Sequence, residues 1–212
     1  MKLYNYFRSS AAYRVRIAVN LKGLEPENVF VHLVKNEQRA PDYLKVNPLG
    51  LVPALVDGDE TITQSLAIIE YLDEKYPLPP LLPSTPEDRA RVRSIALLIA
   101  CDIHPIDNLR VLRYLVGVLK VSEEQKNQWY AHWVDEGLKA LEARLATDSK
   151  TGHFCHGETP TLADVCLVPQ LANARRASID LSPYPTLLRI DEACNALKPF
   201  ADAAPAKQPD AT

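Results

Sequence analysis

The sequence has no surplus of charge of either sign and no long hydrophobic run. Lysine and arginine total 24 against 27 aspartate and glutamate residues, a formal net charge of −3, so the composition does not favour nucleic acid or an anionic membrane as the main partner. No apolar stretch approaches the roughly 20 residues that a membrane-spanning helix needs. The first residues, MKLYNY, lack the apolar segment of a signal peptide, and we therefore expect a cytoplasmic protein without a membrane partner.

Glycine and cysteine are scarce as well. Only 7 glycines stand beside 17 prolines, a balance that favours stiff loops and helix starts over flexible linkers. The 4 cysteines include no C-x-x-C pair, which removes the main support for a zinc finger or a dithiol redox site, and in a reducing cytoplasm we expect free thiols. Residues 153–156 hold two histidines and a cysteine but no fourth ligand at zinc spacing, so we expect no metal site.

The sequence does have enough apolar residues for a core, since 47% of its 212 residues are hydrophobic and 24% are charged. This mix excludes a mostly disordered chain, and the length suits one large domain or two small ones. Residues 77–83 read PLPPLLP, a run that can neither continue a helix nor lie in a central strand. We therefore predict a domain over residues 1–78, a linker over 79–85, and a second domain over 86–212 with a mobile tail from about residue 199.

Residue periodicity differs between these two domains. The first alternates strand and helix patterns in the order β-α-β and β-β-α, which predicts an α/β domain built from a parallel crossover and a hairpin backed by a helix. Its predicted elements are strands at 3–7 and 29–34, a helix at 12–22, a hairpin at 51–63 and a helix from 64 to about 76. The second domain is helical throughout, with helices predicted at 86–98, from 122 to about 145, at 161–176 and from 185 to about 197.

One strand-to-helix junction of the first domain has a composition that suits an anion or a thiolate. Arg8, Ser9 and Ser10 lie where unpaired backbone N–H groups and the helix dipole attract negative charge, and a thiol placed there would have a lowered pKa. The alternative is that Ser9 or Ser10 only caps the helix, and these residues alone favour that simpler interpretation.

Two further features of the same domain could recognise an extended ligand. The bond before Pro53 is a candidate cis peptide, although only about 5–6% of such bonds are cis, and a cis bond would expose the backbone N–H and C=O of Val52. Gln64 and Ser65 open the next predicted helix and form a second anion-friendly site. Each feature alone is weak evidence for a ligand-binding site. Their combination within one βαβ-ββα unit is more specific evidence for such a site.

Residues 9–18, SSAAYRVRIA, resemble the signature S-S-C-x-W-R-V-R-I-A of the zeta class of glutathione transferases. Further stretches similar to that class are NPLGLVP at 47–53, QSLAIIEYL at 64–72, PIDNL at 105–109 and PTLAD at 160–164. The resemblance spans almost the whole chain. It implies a thioredoxin-like βαβ-ββα domain followed by an all-helical C-terminal domain, glutathione as the cofactor, and a homodimer.

The zeta class includes maleylacetoacetate isomerases and the bacterial maleylpyruvate isomerases of aromatic-acid breakdown, and the chain is most similar to the latter. The implied activity is glutathione-dependent cis–trans isomerisation of maleylpyruvate to fumarylpyruvate in gentisate catabolism, by reversible thiolate addition to the cis double bond. Maleylacetoacetate isomerase and a general zeta-class transferase acting on α-halo acids stay open as alternatives. A non-catalytic binding module is a third, against which the presence of Ser9 and the arginines argues.

The resemblance also implies roles for individual residues. Ser9 would donate a hydrogen bond to the glutathione sulfur, the Val52 backbone would pair with the cysteinyl unit, and Gln38 would reach the glycine end. Gln64 and Ser65 would hold the γ-glutamyl carboxylate. The full set of expected glutathione contacts is Ser9, Ser10, Ala11, Gln38, Val52, Gln64, Ser65, Asp102, His104, Asn108, Leu109 and Arg110. The cysteine of the family signature is Ala11 here, which excludes a mechanism that needs a protein thiol at that position.

The implied substrate is a small keto acid with two carboxylates, and a guanidinium group binds a carboxylate with two parallel hydrogen bonds. We expect three arginines on motif-bearing segments to converge on this substrate. Together with the thiolate-binding serine, they give the predicted catalytic set Ser9, Arg8, Arg110 and Arg176. Most basic residues of any protein lie on the solvated surface, and we predict that position for Arg175. Arg14 and Arg16 are predicted to form interdomain or interface ion pairs.

Overall fold

The computed structural model describes residues 1–211, which divide into two compact units. The first unit comprises Met1–Leu81 and the chain from Ala196 onward, and the second comprises Leu82–Asn195. In chain order the regular elements are β1 (Lys2–Asn5), α1 (Ser10–Leu21), β2 (Glu27–Phe30), α2 (Pro41–Val46), β3 (Ala54–Asp57), β4 (Glu60–Thr63), α3 (Ser65–Lys75), α4 (Pro86–Leu97), α5 (Leu109–Gly117), α6 (Glu123–Thr147), α7 (Leu162–Arg176), α8 (Pro185–Asn195) and α9 (Lys198–Ala203). No helix within residues 1–211 combines the length and the apolar character needed to cross a bilayer.

The first unit is built on a four-stranded mixed sheet with the strand order β2-β1-β3-β4. Strand β1 runs parallel to β2, across the α1 crossover, and antiparallel to β3, which pairs with β4 as a hairpin. Helices α1 and α3 bury apolar side chains, among them Val15 and Ile17 of α1 and Ile68 and Leu72 of α3. This is the βαβ-ββα arrangement that the alternating patterns predict.

Several element bounds differ from the sequence-based prediction. The strands are four residues long and end earlier or begin later than predicted, so residues 6 and 7 leave the sheet and residues 51–53 precede it. Helix α2 was not predicted, because its six residues are too few to display a helical period. Proline at its first position, which needs no N–H partner there, is the signal that marks its start.

The structure corrects the predicted organisation mainly in the C-terminal segment, residues 196–211. A mobile tail attached to the helical domain was expected, whereas the structure gives α9 and places it in the first unit. Phe200 and Ala203 are buried, and the Asn20 side chain of α1 donates a hydrogen bond to Pro199 O at 2.9 Å. The abundance of alanine and proline suggested disorder, but apolar contacts with α1 provide the burial that orders the segment.

The second unit is all-helical, as predicted, and its helix starts follow local capping. Ser122 and Gln125 form a capping box at α6, and Thr161 and Asp164 form one at α7. Helix α7 has eleven of its fifteen residues buried and contains Pro169. After α4, the chain continues as a π-helical stretch, Leu98–Ile103, and a single 3₁₀ turn, His104–Ile106. Helix α5 after this turn was not predicted.

Candidate functional site

The register of the sheet brings three predicted site segments to one edge. Tyr4 of β1 lies opposite Ala54 of β3, which in turn lies opposite Thr63 of β4. The chain leaves β1 towards Ser9, enters β3 through Val52, and leaves β4 towards Gln64 at this edge. Strand pairing alone therefore places the β1–α1 junction, the segment before β3 and the N-terminus of α3 side by side.

Ser9 is the N-cap of α1, and its Oγ accepts a hydrogen bond from Ala12 N at 3.2 Å. The cap that the sequence suggested as a simple alternative is therefore present. Because the oxygen accepts this bond, the hydroxyl proton stays available to donate, so capping does not compete with binding a thiolate. Ser9 is half-buried, Ser10 is buried at the first position of α1, and Ala11 is half-buried.

The segment before β3 offers an unpaired piece of backbone. The Val52–Pro53 bond is cis, which confirms the sequence-based candidate. Neither the N–H nor the C=O of Val52 makes a hydrogen bond within residues 1–211. The preceding carbonyl, Leu51 O, accepts hydrogen bonds from Tyr43 Oη at 2.5 Å and from Asn47 Nδ2 at 2.7 Å. Two donors thus fix the Leu51–Val52 peptide, whose N–H is one of the two groups that a ligand backbone could pair with.

Gln38 lies close to this segment and has an unused acceptor. It is in the 3₁₀ turn Glu37–Arg39, is only 6% exposed, and its Oε1 has no hydrogen-bond partner in the described chain. Gly50 has a φ of +61°, and a Cβ added there would lie 2.8 Å from Gln38 O, so the loop before Val52 packs directly on the Gln38 backbone. Only glycine combines this dihedral with this close approach.

The N-terminus of α3 combines a special backbone conformation with a buried cation. Gln64 occupies the N-cap position with φ 72° and ψ 120° and is exposed. Ser65 is buried, and its Oγ accepts a hydrogen bond from Arg14 Nη1 at 3.4 Å. An interdomain or interface ion pair was predicted for Arg14, whereas the structure buries it inside the first unit, where it is 2% exposed. A buried guanidinium beside free helix N–H groups favours an anion at this end of α3.

In the second unit the predicted residues 102–110 cluster around the start of α5. Asp102 is exposed in the π-helical stretch, His104 is half-buried in the 3₁₀ turn, and Leu109 and Arg110 are exposed in the first turn of α5. Asn108 caps α5, and its Oδ1 accepts from Arg110 N at 3.1 Å and Val111 N at 3.3 Å. Because the cap uses Oδ1, the Nδ2 amino group of Asn108 is the part of the side chain that could contact a ligand.

Arg176 ends α7 and is exposed, and its charge acts on Tyr130 of α6. Burial raises the pKa of Tyr130 to about 12, while Arg176 opposes the shift and Asp107 adds to it. Asp107 is 7% exposed, neither of its carboxylate oxygens has a partner within residues 1–211, and burial raises its pKa to about 7. The neighbouring Arg175 instead forms an ion pair with Asp191 at 2.5 Å.

Sequence reasoning missed the residues whose hydrogen bonds and burial hold these segments in place. Tyr43 and Asn47 hold Leu51, and Arg14 and Arg16 are buried in the first unit, not at the surface where an interdomain or interface contact was predicted. A signal was present in the last case, because two arginines interrupt an otherwise apolar stretch of α1, and buried charges need partners. Within residues 1–211, no group of three or more His, Cys, Asp or Glu residues could hold a metal ion.

Comparison with known proteins gives consistent matches over the whole chain. Models of the glutathione S-transferase N-terminal and C-terminal domains match residues 1–74 and 123–203. A probable maleylacetoacetate isomerase of Vibrio cholerae is 52% identical over 211 residues, covering 99% of this chain and 97% of the relative.

Two solved structures superpose on the full length of both chains with TM-scores of 0.98. One, 48% identical, is the holo structure of a maleylpyruvate isomerase, described as a bacterial zeta-class glutathione S-transferase. The other, 44% identical, is a maleylacetoacetate isomerase from Methylobacterium extorquens AM1 with bound malonate and glutathione.

Proposed function

The chain belongs to the zeta class of the glutathione S-transferase family, and we propose that it catalyses the glutathione-dependent cis–trans isomerisation of maleylpyruvate to fumarylpyruvate. The observation that carries the proposal is the sheet register, which brings the Ser9 hydroxyl, the unpaired Val52 backbone and the α3 N-terminus to one edge. A hydroxyl donor, a peptide-pairing backbone and an anion-friendly helix start are what a thiol-containing acidic tripeptide requires.

The unused polar groups of the first unit fit glutathione. The N–H and C=O of Val52 would pair with the cysteinyl backbone, and the unpartnered Oε1 of Gln38 would accept from an N–H near the glycine end. Gln64 and Ser65 would hold the γ-glutamyl carboxylate, with the buried Arg14 charge behind them. We also assign contacts to Ser10 and Ala11 beside Ser9, and from the second unit to Asp102, His104, Asn108, Leu109 and Arg110.

When bound, glutathione supplies the thiolate that adds reversibly to the alkene carbon and so permits rotation about the former double bond. Ser9 stabilises the anionic sulfur by donating its hydroxyl proton in a hydrogen bond, which lowers the pKa of the thiol. The α1 N-terminus acts in the same direction, because its partial positive charge favours an anion. A mechanism that needs a protein thiol at position 11 is excluded, since that residue is alanine.

Three arginines are proposed to bind the charged groups of the substrate. Arg8 directly precedes Ser9 and is exposed, and Arg110 and Arg176 are exposed at the start of α5 and the end of α7. A planar guanidinium binds a carboxylate with two hydrogen bonds, which suits a dianionic keto acid and orients it for attack. Exposed guanidinium groups make such contacts at low desolvation cost.

A maleylacetoacetate isomerase is the second candidate, because the 52% identical relative from Vibrio cholerae carries that name. The two substrates differ only in the length of the keto-acid end. An absorbance assay with each substrate, with and without glutathione, compares the two values of kcat/KM directly. The proposal expects strict glutathione dependence, no net consumption of glutathione and the higher kcat/KM with maleylpyruvate. Isomerisation without glutathione contradicts the mechanism. If the protein isomerises neither substrate but consumes glutathione with an α-halo acid, it is a transferase.

Arg176→Ala tests the carboxylate-binding role. Loss of a bidentate contact is expected to lower kcat/KM about tenfold or more, which corresponds to roughly 1.4 kcal/mol. Arg175→Lys is the matched control, because it changes the adjacent arginine but keeps a cation for Asp191. A kcat/KM within about twofold of wild type for Arg176→Ala contradicts the assigned role.

We also propose a cytoplasmic homodimer. Members of the family are generally dimeric, and reduced glutathione is the thiol buffer of the cytosol. Sedimentation equilibrium tests the dimer. At assay concentrations we expect a mass twice that of one chain. A monomer with full activity contradicts the proposal. Fractionation of the source cells tests the location.

A further inference from the structure

The short segment that carries Arg8 and Ser9 is held by two charged residues that have no part in the proposed chemistry. The segment runs from Tyr6 to Ser9, between the end of β1 and the start of α1. The two residues are Arg16 on α1 and Asp210 in the C-terminal segment, about 200 positions away in the sequence. All of them belong to the first unit.

Asp210 binds the N–H side of this segment. Its Oδ2 accepts a hydrogen bond from Phe7 N at 3.0 Å, and its Oδ1 is buried without a hydrogen-bond partner among residues 1–211. The next residue, Ala211, packs against the apolar cluster formed by Tyr6, Phe7, Val31, Tyr43 and Val52. The C-terminal segment therefore contacts both the junction that leads to Ser9 and the cluster that contains Val52.

Arg16 binds the carbonyl side of the same segment. Its guanidinium donates to Tyr6 O at 3.3 Å, to Phe7 O at 3.1 Å and to Ala203 O of the C-terminal segment at 3.0 Å. The side chain is 4% exposed, and burial lowers its pKa to about 10 while Asp210 opposes the shift, so it stays charged at neutral pH. Tyr6 O also accepts the backbone N–H of Ser9 at 3.0 Å.

These bonds form one chain of contacts from the C-terminal segment to the reacting groups. Asp210 fixes the N–H of Phe7, Arg16 fixes its carbonyl, and both Arg8 and Ser9 follow directly. Loss of Asp210 would leave the N–H of Phe7 without its acceptor and remove a negative charge that acts on Arg16, so the segment would relax. A displacement of about 1 Å in a group that must meet a reacting atom is enough to lower a rate substantially.

We propose that Asp210 is a positioning residue, through which the C-terminal segment holds Arg8 and Ser9 in the geometry that the isomerase site requires. The inference rests on the proposed function for its consequence in catalysis. The contact itself is independent of the function, because it concerns the order of the segment 6–9 in the free protein.

Asp210→Ala and Asp210→Asn test this role against the control Asp202→Asn. Asparagine keeps a side-chain oxygen that can accept from Phe7 N, whereas alanine removes it. Asp202 is an exposed acid of the same segment whose carboxylate pairs with Lys198 instead. For each full-length variant we would measure kcat and KM, the pKa of bound glutathione from its thiolate absorbance, and amide hydrogen exchange at residues 7–9.

The expected result for Asp210→Ala is a fall of about tenfold in kcat/KM, a raised thiol pKa and faster exchange at residues 7–9. Asp210→Asn should recover most of each change, and Asp202→Asn should match wild type. Unchanged exchange and kinetics in Asp210→Ala would overturn the inference. If wild type itself lacks glutathione-dependent activity, the proposed function fails, and the exchange data still decide whether Asp210 orders the segment.

Discussion

The Ser9 side chain accepts a hydrogen bond from Ala12 N and keeps its own proton available to donate. One residue can therefore cap the N-terminus of α1 and also bind a thiolate. This dual use explains why the sequence alone could not decide between a cap and a catalytic group. The residue type and its place are the same in both cases. What distinguishes them is the neighbourhood, namely the unpaired Val52 backbone and the N-terminus of α3 at the same sheet edge.

Ser9→Asp separates the two roles of this residue. Aspartate is as good an N-cap as serine, so the free energy of unfolding should change by less than about 0.5 kcal/mol. Ionised aspartate has no proton to donate and repels an adjacent thiolate, so the pKa of bound glutathione should rise and kcat/KM should fall about tenfold or more. Ser9→Thr keeps both the cap and the hydroxyl and should remain active. Full activity of Ser9→Asp would show that Ser9 is a cap only.

Asp107 has a pKa raised to about 7 by burial, and neither of its carboxylate oxygens has a partner within residues 1–211. In the unfolded chain this group loses its proton near its ordinary pKa of about 3.9, so the folded state binds the proton more tightly. Stability should therefore fall as pH rises from about 4 to about 7 and stay lower above that range.

Asp107→Asn removes this penalty with a side chain of similar shape. The variant should be more stable than wild type by roughly 1–3 kcal/mol at about pH 8, and the gain should shrink towards about pH 4. Urea unfolding at several pH values measures the difference. A gain that is independent of pH, or a loss at about pH 8, would contradict the assigned protonation.

At the scale of elements, the loop between α2 and β3 is organised by side-chain hydrogen bonds. Tyr43 Oη and Asn47 Nδ2 both donate to Leu51 O, and Asn47 also caps its own turn by accepting from Leu49 N at 3.1 Å. Gly50 lets this loop approach the Gln38 backbone. The short helix α2 therefore fixes the segment whose Val52 backbone is proposed to pair with glutathione.

Tyr43→Phe removes one of these two donors and little else. We expect a threefold to tenfold rise in KM for glutathione, about 1 kcal/mol, with a smaller change in kcat, because binding and not chemistry depends on this loop. Tyr71→Phe is the matched control, since it loses a hydrogen bond from Tyr71 Oη to Asp57 Oδ2 at 2.8 Å on the far end of β3. Equal effects of the two substitutions would contradict a specific role for Tyr43.

Local signals predicted the elements whose ends depend on neighbouring residues. The capping boxes at Ser122 and Thr161 gave the starts of α6 and α7 correctly, because a cap is made by residues three positions apart. Helix α5 was missed although Asn108 caps it and Leu109, Leu112 and Val116 recur at helical spacing, so the sequence did contain a signal for it. The cis bond before Pro53 was identified only as a candidate, because sequence favours trans at every proline.

At the scale of the whole molecule, the contacts that could not be predicted are those between distant parts of the chain. The fold class followed from the order of strand and helix patterns, and the family followed from short motifs. The C-terminal segment was expected to be mobile, yet Asp210 and Ala203 bind partners near residues 7 and 16. No local pattern reveals such a pairing, because its partners are separated by nearly the full length of the chain.

Ligand binding should stabilise the whole protein if the first unit holds glutathione as proposed. A ligand that binds only the folded state at about 100 times its Kd adds roughly 2.7 kcal/mol, which for a chain of this size raises Tm by about 5–10 °C. S-methylglutathione should give a similar shift, because the peptide contacts do not need the thiolate. Ser65→Ala should reduce the shift for both ligands, since it removes a hydroxyl at the α3 N-terminus where the γ-glutamyl carboxylate is assigned. Calorimetry that finds no shift with either ligand would contradict the glutathione site, whereas a shift with glutathione alone would assign most of the binding energy to the sulfur and not to the backbone of Val52.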